Sequence, residues 1–294
     1  MSDYYQPTSL LSLQLCNASS PLTVEVISAF TPFTMAQVLL VKDNSVSFLK
    51  SSFILKVYDP RFYSHRHECK DRQRPWSSSA EAAAAAKRGS KGRNIEFEPH
   101  QWPGEDDKEG WEEWYYQNAE MQYHAEVSAY ARLTPLQGEG VARCYGTGTL
   151  LNLSDRAVSP HFLLLEYIPD ALKLDAIDPK SNHVDLALLH SLVETVRQFG
   201  LFGVVHTDLN PGNILFSPGK MPTRGVVIDF GESGVREEED EEEWREIVDQ
   251  NADVYWVKKR LENQLGVKLS GIRFMHSFTH SSGCLTDRTD LEEN

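Results

Sequence analysis

V-V-H-T-D-L-N-P-G-N-I-L-F, residues 204–216, is followed shortly by V-V-I-D-F-G-E, residues 226–232. The pattern H-x-D-x-x-x-x-N falls on His206, Asp208 and Asn213, and D-F-G falls on Asp229, Phe230 and Gly231. Taken singly these residues read blandly: Asp208 as a turn residue, Asn213 as a helix or strand cap, Asp229 as a carboxylate at a strand end. Both patterns falling this close by accident, at about 5% usage per residue type, is rarer than about one in ten thousand. The flanks agree with a shared purpose. An amphipathic helix is predicted just before the first motif, and apolar strands lie on either side of the second.

Working outward, the helix over residues 181–199 carries Leu188, Leu189, Leu192, Val193, Val196 and Phe199 at helical spacing. Asn182 with Asp185 reads as its N-terminal cap, and Gly200 and Gly203 as its end. Short strands are predicted at 214–216 and 225–228, and one last helix over about 240–265. Towards the N-terminus, β-branched and aromatic residues predict strands at 22–30, 35–41 and 52–58, the last ended by Asp59-Pro60. Two further strands are predicted at 141–151 and 161–167, after a helix over 111–133. Residues 61–110 read as an insertion, partly disordered, with a short helix over 80–88. Its basic patch (Lys87, Arg88, Lys91, Arg93) reads first as a solvated linker, second as a docking site or nuclear address.

The composition is that of an ordinary globular chain: 294 residues, 40% hydrophobic and 24% charged. A net charge of −14 argues against nucleic-acid or anionic-membrane binding by the whole chain. Half of that excess sits in the run 237–243, read as a solvated loop leading into the last helix, alternatively as a lure for a basic partner. Cys16, Cys69, Cys144 and Cys284 lack metal-ligand spacing, so structural disulfides and a zinc site are not expected. The first nine residues lack a leader pattern, no apolar run is long enough to span a bilayer, and the N-x-S sequons at Asn17 and Asn152 read as chance. The expected compartment is cytoplasm or nucleus.

On its two motifs the chain resembles the protein-kinase-like superfamily. The resemblance implies an α+β fold of two lobes. The first, residues 22–168, would hold a five-stranded antiparallel sheet and one helix, with the insertion inside it. The second, residues 169–276, would be reduced and mainly helical. Residues 1–21 would form an N-terminal extension and 277–294 a flexible tail. ATP and Mg2+ are the implied cofactors. Asp208 would accept the proton of the acceptor hydroxyl and aim its oxygen at the γ-phosphate. Asn213 and Asp229 would give hard oxygens to the metal. In F-I-L-K-V-Y, Lys56 is similar to the strand lysine that contacts ATP phosphates, with Glu126 as its helix partner and Glu120 as second choice. L-L-L-E-Y-I resembles the hinge, where backbone groups of Glu166 and Ile168 would hold adenine. His206 would buttress its loop rather than transfer protons.

Three departures from the commoner pattern matter. Residues 28–34 (S-A-F-T-P-F-T) stand where a glycine-rich loop is usual, with small hydroxyl residues to present N–H groups to phosphate. Asn210 stands where most serine/threonine kinases have lysine, as in aminoglycoside and choline kinases. No A-P-E follows Asp229, so the usual activation segment is missing. Three functions stay open: an atypical protein Ser/Thr kinase, taken first; a small-molecule kinase of the aminoglycoside or choline kinase type; and a pseudokinase scaffold that binds nucleotide without turnover.

Overall fold

A computed structural model describes residues 3–43, 52–67, 73–91, 98–151 and 156–270. The tail expected at 277–294, Cys69, Cys284, Arg93 and Asn152 lie outside the described residues.

The N-terminal half forms strands β1 (Leu10–Leu15), β2 (Leu22–Phe30), β3 (Gln37–Asp43) and β4 (Ser52–Tyr58), then helices α1 (Ser78–Lys91) and α2 (Lys108–Arg132), then strands β5 (Cys144–Leu150) and β6 (His161–Glu166). The six strands close into an antiparallel barrel in the order β1-β2-β3-β4-β6-β5. The mixed α+β class agrees with the sequence, but the five-stranded sheet does not: β1, inside the stretch read as an extension, is the sixth strand. Its alternation buries Leu11 and Leu13 against Val24, Val26 and Leu164 in the barrel interior. Closure removes both sheet edges, because β1 pairs with β2 on one side and with β5 on the other. The seam is tight. A Cβ on Gly148 would lie 1.9 Å from the Gln14 carbonyl oxygen, so only glycine fits there.

The insertion is far more ordered than its composition suggests, since α1 is longer than the predicted 80–88 and packs along α2. The acidic residues before α2 include its start: Asp107 accepts a hydrogen bond from the Gly110 N–H as N-cap. Two of the basic residues are paired inside the molecule. Lys87 bonds Glu109, and Arg88 bonds Glu113 through Nε at 3.1 Å and Nη2 at 2.8 Å. Deeper still, the buried Arg66 donates to both oxygens of Glu112 at 3.0 and 2.7 Å, with its guanidinium 3.8 Å from the Tyr115 ring centroid. Glu81 of α1 accepts from Trp76 Nε1 and from Arg156, which also reaches Asp59 at the end of β4. The alanine run in α1 lets that helix approach α2 closely, and the flanking charges then meet partners instead of water.

The C-terminal half contains β7 (Leu172–Lys173), α3 (Leu186–Leu201), β8 (Val204–Val205), β9 (Ile214–Ser217), β10 (Arg224–Val227), β11 (Gly234–Val235), α4 (Glu241–Asn251) and α5 (Asp253–Leu265). Asp185 alone caps α3, accepting from the Ala187 N–H, while Asn182 ties the preceding loop to the Gly219 carbonyl. The single last helix of the sequence reading is two helices, broken at Ala252, whose φ of 54° is left-handed. The acidic run enters α4 directly: Asp240 and Glu243 form a capping box, and three glutamates fill the first turn, where the helix dipole favours them. Among the described residues no helix is long and apolar enough to cross a membrane.

Arg66→Ala strands the Glu112 carboxylate in the interior, so a loss of about 3–5 kcal/mol is expected in urea denaturation. Arg88→Ala, which breaks a half-exposed pair, should cost less than about 1 kcal/mol in the same assay.

Candidate active site

Lys56 lies near the end of β4 between Leu55 and Val57, whose side chains fill the barrel interior, so its own side chain leaves the barrel on the opposite face, towards α2. Its Nζ is 2.6 Å from Glu126 Oε2 of α2 and 2.6 Å from Asp229 Oδ1. Residues far apart in sequence thus meet at one ammonium. Burial works to lower the Lys56 pKa, but the charges of Asp229 and Glu126 overcome it and hold the group above the ordinary lysine value. In return the Lys56 ammonium holds the Asp229 carboxyl below its ordinary value, against the effect of burial. Glu126 also accepts from the Tyr58 hydroxyl and from the Phe230 N–H, so its fully buried carboxylate is surrounded by donors. Glu120, the second choice, instead faces His161 at 3.3 Å.

The loop after β8 is stitched to the loop after β10 at several points. His206 is buried beside Phe230, with ring centroids 4.8 Å apart, and its Nε2 lies 3.0 Å from the Ile228 carbonyl oxygen. An Nε2–H donating there braces the segment that carries Asp229. The Thr207 hydroxyl donates to the Glu232 carbonyl at 2.6 Å, and the Ile228 N–H to the Asn213 carbonyl at 3.0 Å. Thr207 and Asp229 both have left-handed backbones, at φ 61° and 67°, strain of the kind that this stitching can sustain.

Asn213 and Asp208 are in direct contact. Asn213 Nδ2 donates to Asp208 Oδ2 at 3.0 Å and to the Asp208 carbonyl at 2.9 Å, and Asn210 Nδ2 donates to both Asp208 carboxylate oxygens at 3.0 Å. These bonds orient the Asp208 carboxylate and leave the Asn213 amide oxygen for another partner. That oxygen and the half-exposed Asp229 carboxylate (48% exposed) are each a hard-oxygen donor of the kind magnesium takes. Among the described residues no cluster of three or more His, Cys, Asp or Glu could hold a metal ion. Asn213 and Asp229 could hold such an ion only with further ligands from phosphate oxygens and water.

The hinge residues are placed differently from one another. Glu166, at the end of β6, binds Arg224 of β10 through 2.6 and 3.0 Å contacts, and its N–H donates to the Arg143 carbonyl at 2.8 Å. Ile168 is buried with Ala142 and Val226, and Leu215 and Ile228 pack beside them. The segment at 28–34 folds back on the chain: Phe33 packs edge-on against Tyr5 and Phe62, and the Thr34 carbonyl accepts from the Ser64 N–H.

Two residues escaped the sequence reading. Asp253, the first residue of α5, accepts from the His206 N–H at 2.6 Å and so anchors the Asp208 loop from below. The continuous apolar stripe over 240–265 masks the break that puts this carboxylate at a helix start. Glu232 follows the D-F-G triplet, accepts from Gln122 Nε2 at 2.8 Å, and carries a pKa raised by burial and then by the charges of Asp208 and Asp229.

This arrangement of a buried lysine between two carboxylates, beside an oriented aspartate–asparagine pair, is that of a kinase. The family model described as lipopolysaccharide kinase (Kdo/WaaP) family, part of the protein-kinase-like superfamily, matches residues 119–252. The span runs from the middle of α2 to the break before α5 and includes Glu126, Asp208, Asn213 and Asp229, but not Lys56. Over it the chain is similar to these enzymes, and the match marks it as a kinase, a phosphotransferase. A search of curated proteins gave no match.

A carboxyl whose pKa is higher in the folded chain than in the unfolded one loses stability as pH climbs past its unfolded value near 4.3. Glu232→Gln keeps an oxygen for Gln122 and removes that penalty. The variant should melt above wild type at pH 7 and converge with it near pH 4, with a gain of about 0.5 kcal/mol or less because the side chain is exposed.

Proposed function

We propose that the chain moves the γ-phosphate of ATP to a hydroxyl group of a sugar, within a two-lobed, kinase-like architecture whose cleft lies between the barrel and the helical half. The observation that carries this reading is the meeting of Lys56, Glu126 and Asp229 next to the bonded Asp208–Asn213 pair. In such a site Lys56 neutralises phosphate charge, and Glu126 keeps the ammonium aimed. Asn213 and Asp229 would hold Mg2+, which supplies further charge neutralisation along the phosphates. The acceptor oxygen attacks the γ-phosphorus, the bond from that phosphorus to the bridging oxygen breaks, and ADP leaves with the electron pair. Asp208 takes the acceptor proton.

Two features favour a sugar over the protein serine or threonine first expected. The matching family is one of lipopolysaccharide kinases. In addition, the chain passes from Asp229 through the two-residue strand β11 straight into α4, so no long segment lies ready to align an extended peptide. The nucleotide base would rest on the apolar floor of Ile168, Leu215 and Ile228.

Magnesium with ATP should raise the melting temperature, and Asp229→Asn should abolish the magnesium-dependent part. Asp208→Asn should cut phosphotransfer to a sugar hydroxyl by about 100- to 10,000-fold while the ATP shift persists. A shift in wild type with no turnover on any hydroxyl acceptor would instead support a nucleotide-binding scaffold.

A further inference from the structure

A cleft of about 200 Å³ opens on the α5 side of Asp208, lined by Thr207, Asp208, Leu209, Asp253, Trp256 and Arg260. Three of these groups are already used. The Thr207 hydroxyl is bonded to Glu232, Asp253 holds the His206 N–H, and Leu209 is buried in the core. The other lining residues are Trp256, Arg260 and Asp208, whose carboxylate is oriented by Asn210 and Asn213. Trp256 is 47% exposed although it sits one turn from the buried Asp253. Arg260, one turn further on, lies with its guanidinium carbon 5.8 Å from the Trp256 ring centroid. Its Nε is buried without a hydrogen-bond partner, and no carboxylate among the described residues forms an ion pair with it.

Among the described residues Arg61, Arg66, Arg88, Arg156, Arg197, Arg224 and Arg236 have carboxylate partners, whereas Arg260, on the wall of a cleft beside Asp208, does not. A guanidinium presents parallel N–H groups, the geometry that matches the two oxygens of a carboxylate or phosphate. Arg236, just after the Asp229 loop, is tied down by the Glu239 carbonyl and by Glu241. Trp256 and Arg260 both lie beyond residues 119–252, so the family match assigns them no role.

We infer that this cleft is the acceptor subsite, in which Trp256 stacks on the acceptor ring and Arg260 binds an oxyanion carried by that ring near the hydroxyl presented to Asp208. The inference rests on the phosphotransfer reading above and adds to it the acceptor chemistry: a ring with an aliphatic face and a carboxylate or phosphate substituent. Arg260 and Trp256 are specificity-determining residues, while Asp208 does the chemistry.

The test uses the full chain with magnesium and a non-hydrolysable ATP analogue, so that binding is read whether or not turnover occurs. Glucose, glucuronate and glucose 1-phosphate are titrated by calorimetry. At least one acidic probe should bind tenfold or more tighter than glucose. Arg260→Gln should erase that preference, moving affinity for glucose less than twofold, and Arg260→Lys should restore part of it. Trp256→Ala should weaken all three probes, and Trp256→Phe should recover most of the loss. Preference for glucuronate identifies a carboxylate, and preference for glucose 1-phosphate a phosphate. Equal binding of neutral and acidic probes, no binding of either acidic probe, or a preference that survives Arg260→Gln overturns the inference. The phosphotransfer reading stands or falls separately, on the magnesium-dependent ATP shift and turnover.

Discussion

The ammonium of Lys56, held between the carboxylates of Glu126 and Asp229, is the contact around which the molecule is organised. The buried charges of Lys56 and Glu126 are tolerated only in company, and the trio with the half-exposed Asp229 is complete only when β4, α2 and the loop after β10 are all in place. The hydrophobic contacts follow the same axis. Phe230, next to Asp229, packs against Tyr130 of α2, Phe199 of α3 and His206, with ring centroids 5.4, 5.5 and 4.8 Å away. Moving any of these segments would break an ion pair and open the aromatic stack together.

The position of α2 matters most in that arrangement, because it brings Glu126. The segment between β4 and α2 acts as a brace. Arg66 grips Glu112 near the helix start, α1 lies alongside with Arg88 on Glu113, and Glu81 connects α1 through Arg156 to Asp59 at the end of β4. The strand that carries Lys56 and the helix that carries Glu126 are thus joined a second time, through buried ions away from the site. Barrel closure by β1 supports the same strand from its other side. Tyr5, just ahead of β1, reaches the Asp59 carboxylate at 2.9 Å.

Below the site, economy replaces bulk. The chain needs only one short strand pair, β8 with β11, to bring the two functional loops together, and the break at Ala252 turns the next helix so that Asp253 can hold the His206 N–H. The α5 face next to Asp208 is open as a cleft.

The groups of the site were legible in the sequence wherever chemistry demands residues at short, fixed spacing. His206, Asp208, Asn213 and Asp229 lie in two loops whose local geometry suffices to place them, and Lys56 and Glu126 were found because strand and helix patterns around them are regular. The tertiary structure decided what depends on distant partners. The alternation of Leu11, Leu13 and Leu15 is compatible with a strand, but only pairing with both β2 and β5 makes it the closing member of a barrel. A segment of alanines and mixed charges reads as solvated until Arg66, Arg88 and Glu81 meet opposite charges on other elements. Asp253 lies within one continuous apolar stripe, and nothing local marks the left-handed residue that turns it into a helix start. Short-range patterns record what each segment is able to do; pairing of buried charges and closure of a sheet are properties of the whole chain and exist only once it has folded.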